Sequence, residues 1–100
     1  MKVLNSIVPV TLVLMLTGCA SLQVSSDFSA GRTALVTGNN EQALAYFYST
    51  AQKDPSYIYG TAYRQSVWSY LGRTEYAAGR LPQAQQSLEK ALAANQPEDV

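Results

Sequence analysis

Histidine is absent from the 100 residues, and cysteine occurs once, at Cys19. The first absence removes the commonest general base, the usual zinc ligand and any serine–histidine pairing. The second rules out a disulfide within the chain, so the lone thiol must pair elsewhere or be consumed by other chemistry. Charge is scarce too: 14% of residues are charged, and seven basic and seven acidic side chains balance to zero. Such a balance gives no footing for nucleic acid or an anionic membrane surface as a partner. Glu41, Glu75 and Glu89 have no acidic neighbour at three- or four-residue spacing, which leaves no carboxylate pair for metal or acid–base work. The glycines are scattered, with no phosphate-cradling loop. No catalytic residue, metal or cofactor is expected.

What is present begins at the N-terminus. Lys2 supplies a positive charge, and Ile7 to Leu16 is a nearly unbroken apolar run, interrupted by Pro9 and Thr11. Small residues then precede the cysteine. Charge, apolar core and small-residue cleavage region follow in the order of a secretory signal. The run is too short for a bilayer-spanning helix, which needs roughly 20 residues. Leu16-Thr17-Gly18-Cys19 resembles the lipobox of bacterial lipoproteins. The resemblance implies a signal peptide over residues 1–18, cleaved between Gly18 and Cys19. It also implies a thioether from Cys19 to diacylglycerol, and acylation (palmitate, for example) of the freed amine. Two or three acyl chains anchor stably where one is marginal. Ala20 and Ser21 follow the cysteine where an inner-membrane lipoprotein has aspartate. The resemblance therefore implies the periplasmic side of the outer membrane in a Gram-negative cell, and otherwise the outer face of the cell membrane.

Residues 19–26 are small and polar and are expected to form a tether. Four helical patterns follow. Asp27 to Thr37 is expected as a first helix stopped by Gly38. Asn40 is expected to cap a second helix with Glu41 in its first turn, where the dipole favours an acid. Ala43, Leu44, Phe47 and Ala51 give that helix one apolar face, and Asp54-Pro55 ends it. Tyr57 to Ala78, striped by Tyr59, Tyr63, Val67, Tyr70 and Leu71, is expected as one long helix. Gly79 breaks it, Pro82 suits a first helical position, and Ala84, Leu88, Ala91 and Leu92 form the last apolar face. Asn95 to Val100 reads as a frayed end.

The sequence also repeats. Gly31-Arg32-Thr33 recurs as Gly72-Arg73-Thr74, an offset of 41, and at the same offset Gly38 recurs as Gly79, Ala43 as Ala84, Phe47 as Leu88 and Thr50 as Ala91. The second copy resembles a tetratricopeptide repeat (TPR). Trp68, Leu71 and Gly72 stand at its opening, Ala84, Leu88 and Ala91 match its second helix, Tyr76 lies one place late, and Pro97 one place beyond the closing proline. The first copy matches at Gly31, Gly38, Ala43, Phe47 and Pro55, but has Asp27 for the tryptophan and Ala34 for the tyrosine. The resemblance implies an all-α fold. Two antiparallel helix pairs stack as a short TPR-like solenoid over residues 27–97, with repeat 1 about 24–57 and repeat 2 about 65–97. The family period is roughly 34 residues. The excess here is about seven, two helical turns, and is expected to lengthen the third helix around Ser56 to Ala62.

Stacked repeats of this family expose a concave face from their first helices. By resemblance that face carries Ser25, Phe28, Arg32, Leu35 and Val36 from one copy, and Ser66, Ser69, Arg73, Tyr76 and Ala77 from the other. Arg32 and Arg73 are equivalent. With Phe28 and Tyr76 beside them they could clamp a peptide carboxylate or acidic motif. The expected function is a membrane-anchored TPR-type protein–protein interaction module, an accessory in cell-envelope assembly. Its partners would be the bilayer, through Cys19, and an envelope protein or peptide. The alternative is a purely structural lipoprotein that self-associates through Leu88 and Leu92, without a peptide ligand.

Overall fold

The computed structural model describes residues 22–95, which are mostly helical. Helix α1 covers residues 22–36, α2 covers Asn40–Lys53, α3 covers Val67–Ala77 and α4 covers Leu81–Asn95. Between α2 and α3 lies a two-stranded antiparallel hairpin, β1 (Ile58–Tyr59) and β2 (Gln65–Ser66), with Ile58 opposite Ser66 and Tyr59 opposite Gln65. Gly18, Cys19 and the rest of the signal segment lie outside the described residues, as do residues 96–100.

The helix ends follow local chemistry. Gly38 (φ +83°) and Gly79 (φ +79°) each adopt the left-handed conformation that closes a helix cheaply without a Cβ. At the first, the Gly38 N–H donates to the Leu35 carbonyl and the Asn39 N–H to that of Ala34. At the second, Gly79 donates to Tyr76 and Arg80 to Glu75. These are the same two bonds, 41 residues apart. The side chain of Asn39, not Asn40, caps α2 by accepting from the Gln42 N–H at 3.3 Å. Pro82 is the second residue of α4, still within the turn whose N–H groups have no helical partner. Helix α1 already includes residues 22–26, which the sequence assigned to a tether.

The long helix expected over Tyr57 to Ala78 is not there in its first half. Tyr57-Ile58-Tyr59 is rich in residues that favour extended backbone. Gly60 then turns the chain at φ +97°, where an added Cβ would lie 2.6 Å from the Tyr63 carbonyl oxygen. The Tyr57 carbonyl accepts from the Val67 N–H at 2.9 Å, closing the hairpin, and the Ser66 hydroxyl caps α3 by accepting from Ser69 N–H at 3.3 Å. The residues expected to lengthen the third helix, Ser56 to Ala62, thus form a hairpin and its turn instead.

The core explains why the tyrosines left the helix. Phe28 is 1% exposed and sits among Phe47, Tyr57, Tyr59 and Tyr70, with ring centroids 4.9–5.5 Å away. The hairpin folds Tyr57 and Tyr59 onto Phe28 from α1, and Tyr70 arrives from α3. Leu44, Val67 and Leu71 complete the cluster. Beyond it, the buried carboxylate of Glu75 accepts hydrogen bonds from the Tyr48 and Ser87 hydroxyls, joining α2, α3 and α4. Burial, and then this carboxylate, push the Tyr48 hydroxyl above its ordinary value of 10.0. Among the described residues, every buried side-chain nitrogen or oxygen has a partner.

Each helix pair closes on a glycine. A Cβ on Gly31 would lie 2.6 Å from Cε1 of Phe47, and one on Gly72 would lie 2.5 Å from Cδ2 of Leu88. Both contacts join equivalent residues of the two copies. Their tolerance differs, because Phe47 is fully buried whereas Leu88 is 39% exposed. We expect Gly31→Ala to destabilise the fold by about 1–3 kcal/mol in urea unfolding, through overpacking against an immobile ring. Gly72→Ala costs less, since the half-exposed Leu88 side chain can swing outward, leaving only its backbone nitrogen 3.3 Å from the added Cβ. The helix propensity that alanine restores is the same at both positions. Equal losses would contradict this difference in packing.

Candidate functional site

The hairpin that replaces the expected helix builds the surface on which both candidate arginines rest. Tyr59 on β1 and Tyr70 on α3 form an edge-on pair with centroids 6.3 Å apart. The Arg32 guanidinium from α1 lies 4.2 Å over the Tyr59 ring centre, and its Nη1 donates to the Tyr59 hydroxyl at 2.7 Å. The Arg73 guanidinium from α3 lies 4.6 Å over the Tyr70 ring, and its Nη2 donates to the Gln65 side chain at 3.1 Å. A cation held over a ring face gains from the ring quadrupole, by about 0.5–1 kcal/mol where solvent reaches it. The stacking also fixes the planar fork and leaves its remaining N–H groups free for an anion.

Neither arginine is neutralised by an acid among the described residues. Among the described residues the salt bridges are Lys53 to Asp27 at 2.9 Å and Arg80 to Glu41 at 2.7 Å. Tyr76 is 69% exposed on α3, and Tyr63 at the hairpin turn is 86% exposed. Beside Arg32, the outer side of α1 carries an open depression of about 240 Å³ lined by Ser29, Thr33, Val36 and Thr37. The surface thus offers aromatic faces, hydroxyls and fixed cationic donors.

Phe28 does not belong to this surface. It is the centre of the aromatic core and has no access to a ligand, which corrects its assignment to the groove. Arg32, Arg73 and Tyr76 remain accessible. The residues that sequence reasoning missed are Tyr59, Tyr70 and Gln65, which hold the two guanidiniums. Their signal was the run of strand-favouring residues ahead of Gly60, read instead as part of a helical stripe. Trp68 plays an anchoring part: its indole N–H donates to the Pro55 carbonyl at 2.8 Å, and the Lys90 ammonium lies 4.3 Å over its ring.

The chain as a whole matches no known protein family, no curated protein and no solved structure. Among the described residues no three metal-binding side chains cluster, and no helix is long and apolar enough to cross a membrane.

Helix α1, which carries Arg32, is pinned to the end of α2 by Asp27. Its carboxylate accepts from the Lys53 ammonium and from the Ser49 hydroxyl, each at 2.9 Å. The Lys53 hydrogen bond holds Asp27 below the ordinary 3.8, against an opposing push from burial. A carboxylate lowered in this way contributes stability that is complete above its unfolded value and lost as pH falls through its folded one. Lys53 is partly exposed, so the contribution is modest, about 0.5–1 kcal/mol. Asp27→Asn should therefore be less stable than the parent at pH 7, with the gap closing under acid conditions below the folded value. Urea unfolding followed by Trp68 fluorescence checks this; a gap independent of pH would refute the electrostatic account.

Proposed function

We propose that the chain is exported, lipidated on Cys19 and held at a membrane. There its helical domain acts as a TPR-type protein–protein interaction module, accessory to an envelope assembly. The carrying observation is the pair Arg32 and Arg73: equivalent residues of two repeated helix pairs, each laid on a tyrosine ring, with neither in an ion pair among the described residues. The sequence has no histidine and the described residues hold no metal-binding cluster, whereas two oriented guanidiniums recognise carboxylates well. The ligand we infer is an acidic peptide segment of an envelope protein, with Tyr76 bordering its path and Phe28 supporting the site from within. The solenoid reading is supported by the recurrence of the same glycine contact and the same helix-closing bonds in both copies. The outer membrane, facing the periplasm, follows from Ala20 and Ser21 if the cell is Gram-negative.

The test has two arms, both on the full chain. Cys19→Ser should move the protein out of the membrane fraction and remove the lipid mass from its N-terminal peptide. A fluorescent peptide bearing four glutamates and a free C-terminus should bind the parent, and bind Arg32→Ala/Arg73→Ala at least tenfold more weakly. A hydrogen bond to a charged group contributes roughly 1.5–3 kcal/mol, so even one lost contact gives that factor. Equal peptide affinity in parent and double variant would end the clamp reading. Unchanged membrane retention without Cys19 would end the lipidation reading.

A further inference from the structure

The contact between the two helix pairs has two sides, and the molecule exposes a counterpart of each at opposite ends. One side is α2, whose Phe47 packs on Tyr70 and whose Tyr48 donates to Glu75, both on α3, with Ala51 buried in the same core. Forty-one residues later the same positions on α4 are Leu88, Glu89 and Leu92, and there Leu88 is 39% and Leu92 68% exposed. The other side is α3, where Leu71, Thr74 and Glu75 are buried and Glu75 accepts from Tyr48 of the first pair, with the buried Ser87 of α4 donating to the same carboxylate. The equivalents are Ala30, Thr33, Ala34 and Tyr46. With Thr37 and Gln42 these line an open groove of about 300 Å³ between α1 and α2. Leu92 and part of Leu88 thus stand exposed at one end, and an open groove floored by small residues and bordered by Gln42 and Tyr46 stands at the other.

The polar chemistry of the contact is carried over with its sides exchanged. Inside the molecule the Tyr48 hydroxyl on α2 and the Ser87 hydroxyl on α4 both donate to the Glu75 carboxylate on α3. In the equivalent arrangement, Tyr48 is replaced by Glu89, Glu75 by Ala34 and Ser87 by Tyr46. The acid has moved to the helix that presents Leu88 and Leu92, and the tyrosine to the groove. Ala34 vacates the space that the Glu75 side chain fills. A hydroxyl-to-carboxylate bond can therefore form again, from Tyr46 to Glu89, if a second molecule supplies the groove.

We propose that copies of this chain stack head to tail, with α4 of one molecule in the α1–α2 groove of the next. Leu88 and Leu92 then cover Ala30 and Thr33, and the Tyr46 hydroxyl of one copy donates to the Glu89 carboxylate of the other. The contact is heterologous: each copy uses two different faces, so assembly continues until a ring closes or the supply ends. This proposal does not rest on the acidic-peptide reading, which uses the tyrosine-supported arginines.

The experiment is sedimentation velocity on the full chain in nonionic detergent, over a hundredfold range of protein concentration. The parent should grow in mass with concentration. Leu92→Glu, which spoils only the α4 face, should stay monomeric. Tyr46→Glu, which sets a like charge against Glu89, should also stay monomeric. Circular dichroism spectra with the parent's helical content, and cooperative melts, show that both variants are folded. Mixed in equal amounts, the two variants should form a dimer, because one intact groove then meets one intact α4. A parent that stays monomeric throughout would overturn the proposal. So would association of Tyr46→Glu to the parent's extent while Leu92→Glu stays monomeric, since that marks symmetric α4–α4 pairing. Association of both variants alone, or no dimer in the mixture, would overturn it equally. A monomeric parent that still bound the acidic peptide would sink the stacking alone.

Discussion

The two helices within each pair can lie this close because a glycine on one faces a bulky side chain on the other. At Gly31 the Phe47 ring occupies the space a Cβ would need, and at Gly72 Leu88 does the same. Much else in the structure is placed by this constraint. Phe47, pressed onto Gly31, is turned toward Phe28 at 5.5 Å between ring centres, and Tyr70 packs on both. Leu88, pressed onto Gly72, sets the position of α4, so that Ser87 reaches the buried Glu75. Dispersion and burial hold the ensemble, but close packing decides which arrangement they hold.

Much of this was legible in the sequence. The left-handed glycines at 38 and 79, the small residues at 43 and 84 and the shift relating the copies all mark places where backbone sterics leave few alternatives. The segment from Tyr57 to Ser66 was misread because tyrosines spaced by three and four can stripe a helix or fill an aromatic cluster. Which occurs depends on Phe28, far away in sequence. Local signals were present in Gly60 and in Tyr57-Ile58-Tyr59, but periodicity outweighed them. Phe28 itself was misplaced for the matching reason. A phenylalanine on a first helix appears free to face a ligand until the hairpin brings Tyr57 and Tyr59 over it. The candidate site was therefore half visible. Arg32 and Arg73 stood out by repetition, whereas their tyrosine supports emerged only when the hairpin was in place.

The same geometry separates two kinds of surface. The hairpin side holds cations in fixed orientation on aromatic rings, which would lower the entropy lost on binding the acidic ligand proposed above. The two ends hold nothing in place. Leu88 and Leu92 stand open at one, and the Ala30–Thr33–Tyr46 groove at the other. Short solenoids need neighbours because each repeat buries only part of its apolar face alone. In this chain the two helix pairs meet at the α2–α3 contact, while Leu88 and Leu92 on α4 keep exposed surface.

The central claim is that the two pairs close by equivalent glycine contacts. It is tested most directly by proton nuclear Overhauser effects on the isotope-labelled full chain. The account predicts cross-peaks from the Gly31 α-protons to the Phe47 ring and from the Gly72 α-protons to the Leu88 methyls. Loss of either set, in a chain whose helices are otherwise formed, would contradict it.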